Sequence, residues 1–121
     1  MSSTAQTFAD LAREVARADR ISYPLAELND LLTAATGPEV ENLPRPDIGD
    51  PYRLNYVTAM VELAAHRTGV VPPVWTSDVL PLFEPVFIDR SPNLRAHLLT
   101  ASPVPFRRRN IFIDTSLGGR V

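Results

Sequence analysis

The sequence predicts an all-α domain of about five short helices joined by proline-rich irregular connections, with one short strand near the C-terminus. Two observations lead to this fold class. Apolar residues recur at helical spacing in several segments, each preceded by a residue that suits a helix N-cap. The 121 residues also include 12 prolines, about twice the average usage of roughly 5%, which should keep the helices short. With 45% hydrophobic and 21% charged residues, the chain suits a single domain with one modest core.

The N-terminal third predicts a hairpin of two amphipathic helices over residues 7–36. Thr7 is the predicted N-cap of the first helix, which runs over about residues 7–19. Ser22 is a suitable cap for the second helix, and Gly37 ends it. Apolar stripes at helical spacing define the buried faces of both helices: Phe8, Leu11 and Val15 in the first, and Leu25, Leu28, Leu32 and Ala35 in the second.

The composition of residues 37–50 predicts an acidic, proline-rich linker between the hairpin and residues 51–121. Four acids (Glu39, Glu41, Asp47 and Asp50) accompany a single arginine, Arg45. Prolines and glycines favour an extended arm here. Its aliphatic residues, Val40, Leu43 and Ile48, indicate that the arm lies along the protein surface.

The most strongly predicted element is a central core helix that begins after Asp50. Asp50 is a capping residue and Pro51 occupies the first helical position, while Gly69 is a typical C-terminal cap. The apolar positions Leu54, Val57, Met60, Val61 and Ala64 continue at helical spacing.

Proline positions delimit the remaining elements. The stretch "VVPPVW" at residues 70–75 should be extended, because consecutive prolines favour polyproline geometry. We expect a short helix over about residues 78–82, a further helix that begins at Ser91 and ends before Pro103, and the single strand at residues 111–114.

Composition argues against several kinds of site. The chain has no cysteine, which excludes disulfides, thiolate metal sites and cysteine nucleophiles. It has no lysine, which excludes a phosphate-binding loop of the G-x-x-x-x-G-K-[ST] type. His66 and His97 lie 31 residues apart, without a metal-binding spacing. We therefore predict no catalytic site, no metal and no cofactor.

The N-terminus and the hydropathy predict a cytoplasmic protein with no membrane partner. Polar and apolar residues alternate near the N-terminus, unlike a signal peptide. No stretch approaches the ~18 apolar residues of a membrane span.

Charge is distributed unevenly along the chain. The net charge is −2, whereas a free-standing DNA-binding protein usually has a clear basic excess. Residues 90–121, however, contain six arginines and only one acid, Asp114. The chain is thus acidic in its middle and basic at its end.

The run Arg107-Arg108-Arg109 allows three interpretations. The arginines could form a solvated face, pair with an acidic protein partner, or contact the phosphates of a nucleic acid. Apolar neighbours favour an anchored segment over a loose tail. We expect Phe106 and Phe112, together with Ile113, to pack into the core beside the helix at Leu94–Leu99 and to hold at least two of the arginines at fixed positions.

Trp75 has two interpretations as well. It follows two prolines and precedes a predicted helix cap, so it could close this loop over the core. Tryptophan is also enriched among the residues that dominate protein interfaces.

The C-terminal part of the sequence resembles a small domain family of high-GC bacteria. The resemblance covers about residues 50–121 and follows the pattern P-x-W … LRAxxLxxSPxxFRRRxxFID. Here the motif residues are Trp75, Leu94-Arg95-Ala96, Ser102-Pro103 and Phe106 to Asp114. The family's domains occur alone or attached to helix-turn-helix regulators, and they are associated with antitoxins of nucleotidyltransferase-like toxins. The resemblance therefore implies an antitoxin.

Taken together, residues and resemblance predict a non-catalytic interaction protein, an antitoxin that neutralises a cognate toxin by direct binding. The alternative is a DNA-associated regulator or accessory module that uses the C-terminal arginines. The oligomeric state and the identity of the partner stay open. The predicted partner-binding residues are aromatic or basic: Trp75, Arg95, Phe106, Arg107, Arg108, Arg109 and Phe112.

Overall fold

The computed structural model describes residues 3–87 and 102–113. Within them the chain is mainly helical, which confirms the predicted all-α class. The predicted helix that begins at Ser91 lies outside the described residues.

The N-terminal hairpin is present, but its first helix begins earlier than predicted. Helix α1 spans Thr4–Arg17 and helix α2 spans Ser22–Ala34. The cap of α1 is Ser3, whose hydroxyl accepts a hydrogen bond from the Gln6 backbone N–H at 3.1 Å. The prediction of Thr7 as the cap was wrong because an equally suitable capping residue precedes it by one turn.

The predicted linker contains a short helix, α3, at Gly37–Glu41. Thr36 and Glu39 form a capping box, in which each side chain accepts a hydrogen bond from the other residue's backbone N–H. Hydrogen bonds from the backbone N–H of Thr36 and from the Thr4 and Thr36 hydroxyls lower the pKa of Glu39. The expectation of an irregular arm was therefore wrong at this point, because a complete local capping signal outweighs the nearby prolines.

The linker nevertheless packs against the rest of the protein, as its aliphatic residues predicted. Val40, Leu43 and Ile48 are all buried. A Cβ atom on Gly37 would approach Val70 Cγ1 to 2.7 Å, so a larger residue at this position would require the Val70 side chain to shift.

Helix α4 spans Pro51–Thr68 and has the predicted boundaries. The Asp50 side chain accepts a hydrogen bond from the Arg53 backbone N–H at 2.9 Å. Gly69 ends the helix in the left-handed conformation, with a φ of 72°. The Arg53 side chain donates to the carbonyls of Val15 and Ala18, at 2.8 and 2.7 Å, and so satisfies the C-terminal end of α1.

The short helix predicted at residues 78–82 is absent, and a 3₁₀ helix occupies Val74–Asp78 instead. Its first residue follows Pro73, while Val79 is already extended. Pro81 disfavours a helical conformation for Leu80, which explains why no helix continues through this segment. The predicted extended stretch 70–75 is helical at its last two residues.

The C-terminal described segment forms helix α5 (Val104–Arg108) and a short strand, β2 (Ile111–Phe112). Strand β2 pairs in parallel with β1 (Val86–Phe87), in the register Val86 to Ile111 and Phe87 to Phe112. The sequence predicted β2 at residues 111–114 without its partner strand. The run of arginines was not predicted to be helical.

A single hydrophobic core joins the elements on both sides of the linker. It includes residues of each of the five α-helices found in the described part of the chain, and of β2. Helix α4 is its central member, with nine buried residues between Asn55 and Ala65. None of the described helices is both long enough and apolar enough to cross a membrane.

Candidate partner-binding surface

Helix α5 is fixed to the core by Phe106. Pro103 is the N-cap and Pro105 lies in the first turn, where a backbone N–H has no helical partner. Phe106 is 1% exposed, and its ring meets that of Tyr56 edge to face with a centroid separation of 5.1 Å. This short helix is therefore held by tertiary packing on α4.

Asn110 terminates α5 and directs the chain into β2. Its φ of 63° lies in the left-handed region, which asparagine tolerates better than most residues. Its side chain donates a hydrogen bond to the Leu82 carbonyl at 2.6 Å. The turn is thus tied to the segment that leads into β1.

Arg109 is buried, in contrast to its prediction as a partner-binding residue. Its side chain makes four hydrogen bonds: Nε to Glu62 Oε1 (2.7 Å), Nη1 to Asn55 Oδ1 (2.8 Å) and the Val79 carbonyl (2.9 Å), and Nη2 to the Thr76 carbonyl (2.8 Å). The rigid fork of a guanidinium group suits this arrangement of acceptors. Arg109 therefore joins α4, α5 and the segment after the 3₁₀ helix, and it presents no charge to a partner.

The other two arginines of the run point outward. Arg107 and Arg108 occupy the last turn of α5, and both are exposed. Positive charge near a helix C-terminus is electrostatically favourable. We call these two residues the α5 arginine pair. The backbone of both residues belongs to the anchored helix, and the prediction that their side chains are held at fixed positions stays a prediction.

The aromatic residues of the predicted site have mainly structural contacts. Phe112 is 9% exposed and stacks on Phe87, with ring centroids 4.9 Å apart. Ile113 is also buried, so the predicted burial of this segment is confirmed. The helix at residues 94–99, beside which it was expected to pack, lies outside the described residues. Trp75 is half-buried and its indole N–H donates to the Leu43 carbonyl at 2.8 Å, which closes the 3₁₀ helix over the linker. Arg95 lies outside the described residues.

A groove lies beside the α5 arginine pair, between α5 and the C-terminal half of α4. We call it the α4–α5 groove. It has a volume of about 420 Å³. It is lined by residues of α4, the following loop and α5: Glu62, Leu63, His66, Val70, Pro72, Pro103, Val104, Pro105 and Arg108.

Sequence reasoning missed the groove and the partners of Arg109, although signals for some of them exist. Asn55 and Glu62 are seven residues apart and therefore share one face of α4. Asn55 is 1% exposed on the core helix, which indicates that a polar partner must be buried with it. Phe106 and Arg109 are three residues apart, so a helical interpretation of the run would have placed both on one inward face.

The described residues contain no group of three or more His, Cys, Asp or Glu side chains placed to hold a metal ion. Within residues 3–87 and 102–113, three side chains have clearly displaced pKa values, and none of the three lines the α4–α5 groove. Burial raises the pKa of Tyr56, and the neighbouring Tyr52 raises it further. Burial and the Asp50 charge raise the pKa of Tyr52.

Comparison of the chain with protein-family models, curated proteins and solved structures finds no match.

Proposed function

We propose that this protein is an antitoxin that neutralises a cognate toxin by direct binding, without catalysis of its own. The observation that carries the proposal is the α5 arginine pair on a fixed helix. Phe106 and Arg109 anchor α5 from the inside, while Arg107 and Arg108 face solvent. Charged side chains on an ordered backbone lose less conformational entropy on binding than those on a mobile tail.

Exposed apolar side chains support a protein partner. Several large hydrophobic residues are mostly exposed in the segment between α4 and β1: Val71, Val74, Leu80 and Phe83. Interfaces commonly combine apolar area with arginine, whereas a solvated surface gains nothing from apolar groups.

Co-expression tests the proposal. The product of the neighbouring gene, expressed alone, should inhibit growth, and co-expression with this chain should restore growth and yield a stable complex. Arg107→Glu with Arg108→Glu should abolish rescue, because both charges are reversed. Arg20→Glu with Arg45→Glu is the matched control, since it reverses two exposed arginines outside the surface. A neighbouring product that is harmless, or that never binds, would overturn the proposal.

A DNA-associated role is the alternative that the α5 arginine pair also supports. Phosphate contacts make affinity fall steeply with salt, because bound counterions are released. A mobility-shift assay with duplex DNA at two salt concentrations separates the functions. Specific retardation that disappears in Arg107→Glu with Arg108→Glu would favour the regulator over the antitoxin.

A further inference from the structure

We propose that the α4–α5 groove binds an acidic amphipathic helix of a partner protein. Apolar side chains of that helix would enter the groove, and one of its carboxylates would pair with Arg108. The inference deepens the proposed function and rests on it only in assigning this helix to the toxin.

The groove offers an apolar and stiff wall. Of the nine described residues that line it, six are apolar, and three of the six are prolines: Leu63, Val70, Pro72, Pro103, Val104 and Pro105. Proline fixes φ, so the loop and the start of α5 change shape little on binding. A preformed groove avoids part of the ordering cost of association.

The charge of the groove favours an acidic occupant. Among the described residues that line the groove, Glu62 is the only acid, and it accepts a hydrogen bond from Arg109 Nε at 2.7 Å. The contact with Arg109 compensates the negative charge of Glu62, while Arg108 remains exposed at the rim of the groove. Arginine recognises carboxylates through paired, charge-assisted hydrogen bonds. A carboxylate next to the apolar contacts is therefore the complementary group.

The backbone of the groove favours a helix over an extended peptide. An extended peptide gains affinity by pairing its backbone with an exposed backbone edge. Pro72, Pro103 and Pro105 have no N–H to donate. A helix satisfies its own backbone and needs only side-chain contacts, which is what this wall can supply.

Exposed apolar area beyond the groove favours a polypeptide over a small molecule. Val104 in the lining is 45% exposed, and Val71, between two lining residues, is 78% exposed. Val74 follows closely in the chain and is 84% exposed. A ligand confined to the groove would leave these valines in water, whereas a helix lying across it can cover them.

Methyl NMR with two synthetic helical peptides tests the groove directly. The first peptide has leucines at positions i, i+3, i+4 and i+7, flanked by glutamates, and the second has lysine in place of each glutamate. The glutamate peptide should cause saturable shifts of the Leu63, Val70 and Val104 methyl signals, with an affinity at least about tenfold higher than that of the lysine peptide. An equal response to both peptides, or none at these methyls, would overturn the inference.

Two variants give the matched control. Val104→Asp places a charge in the groove at an already exposed position and should reduce the affinity for the glutamate peptide at least about tenfold. Tyr23→Asp makes the same kind of change at a residue that is 76% exposed on α2, and it should leave the affinity unchanged. Equal losses in both variants would contradict a specific groove.

The same variants separate this inference from the proposed function. If the glutamate peptide binds but the toxin does not, the groove stands and the antitoxin proposal fails. If the toxin binds Val104→Asp as tightly as the native chain, the groove inference fails and the antitoxin proposal stands. Sedimentation of the isolated chain tests whether a second copy of the chain occupies the groove. If the chain self-associates and Val104→Asp abolishes that association, the groove binds a second copy and the inference is overturned.

Discussion

At the scale of single residues, three adjacent arginines have two different roles. Arg107 and Arg108 face solvent, whereas Arg109 is 5% exposed and its guanidinium group donates four hydrogen bonds. The sequence predicted a cluster but could not rank its members. Which arginine is buried depends on the helical phase of α5, and that phase is set by the docking of Phe106 on Tyr56.

Arg109→Lys should destabilise the fold by about 2–4 kcal/mol, because one ammonium group cannot reach acceptors on three segments and leaves some of them buried without a donor. Arg108→Lys is the matched control at an exposed position, and it should change the free energy of unfolding by less than about 0.5 kcal/mol. Urea denaturation monitored by circular dichroism measures both. Equal effects of the two substitutions would contradict the structural role of Arg109.

Two tyrosines of α4, Tyr56 in the core and the partly buried Tyr52, predict a loss of stability in alkali. The folded-state pKa values of Tyr52 and Tyr56 are raised above the ordinary value of 10.0. Their stabilising contribution is therefore complete below pH 10 and is lost as the pH rises, since only the unfolded chain then releases these protons. The slope is at most about 1.4 kcal/mol per pH unit for each tyrosine. The chain has no lysine or cysteine to titrate in the same range.

The substitution Tyr56→Phe isolates the contribution of Tyr56 to this loss of stability in alkali. The Tyr56 hydroxyl is buried and has no hydrogen-bond partner among the described residues, so its removal leaves no orphaned group. The variant should lose less stability than the native chain between neutral pH and about pH 11, as measured by urea denaturation at each pH. A variant as sensitive to alkali as the native chain would show that another group is responsible.

At the scale of elements, the parts of the structure that depend on local sequence signals could be predicted, whereas the parts that depend on tertiary contacts could not. Both ends of α4 were predicted, because Asp50 and Gly69 act through adjacent backbone groups. The 3₁₀ helix and α5 have five residues each and weak local signals. They depend on partners distant in sequence, such as Leu43 for Trp75, and these cannot be identified from local patterns.

Asn110 tests how α5 is terminated. Asn110→Ala should destabilise by about 1–2 kcal/mol, because alanine disfavours the left-handed conformation and lacks the hydrogen bond to Leu82. Asn110→Gly also loses that hydrogen bond but adopts the positive φ without strain, so it should be the more stable of the two variants. Thermal melting of Asn110→Ala and Asn110→Gly measures the difference in stability between the two variants. If glycine proves no more stable than alanine, the left-handed conformation at this position does not limit the stability of the turn.

At the scale of the whole molecule, residues 104–113 are tied to the core, as the apolar neighbours of the arginine run predicted. Deletion of residues 105–121 removes the buried Phe106 and Phe112 together with Arg109. Each phenylalanine contributes roughly 1.5–3 kcal/mol through burial, so the melting temperature should fall by more than about 10 °C. A deletion variant that melts like the full chain would show that the segment is peripheral.

Titration calorimetry of the purified toxin with the double variant Arg107→Ala and Arg108→Ala tests the central claim most directly. It gives the affinity of the variant, and thermal melting of the same variant shows whether it is still folded. The claim is that α5 is anchored from within and carries its recognition charges outside. The melting temperature should stay within about 2 °C of the native value, because both side chains are exposed. The affinity should fall at least about tenfold, because arginines often dominate interface energetics. Native affinity in this variant, or a loss of affinity that follows a loss of folding, would contradict the claim.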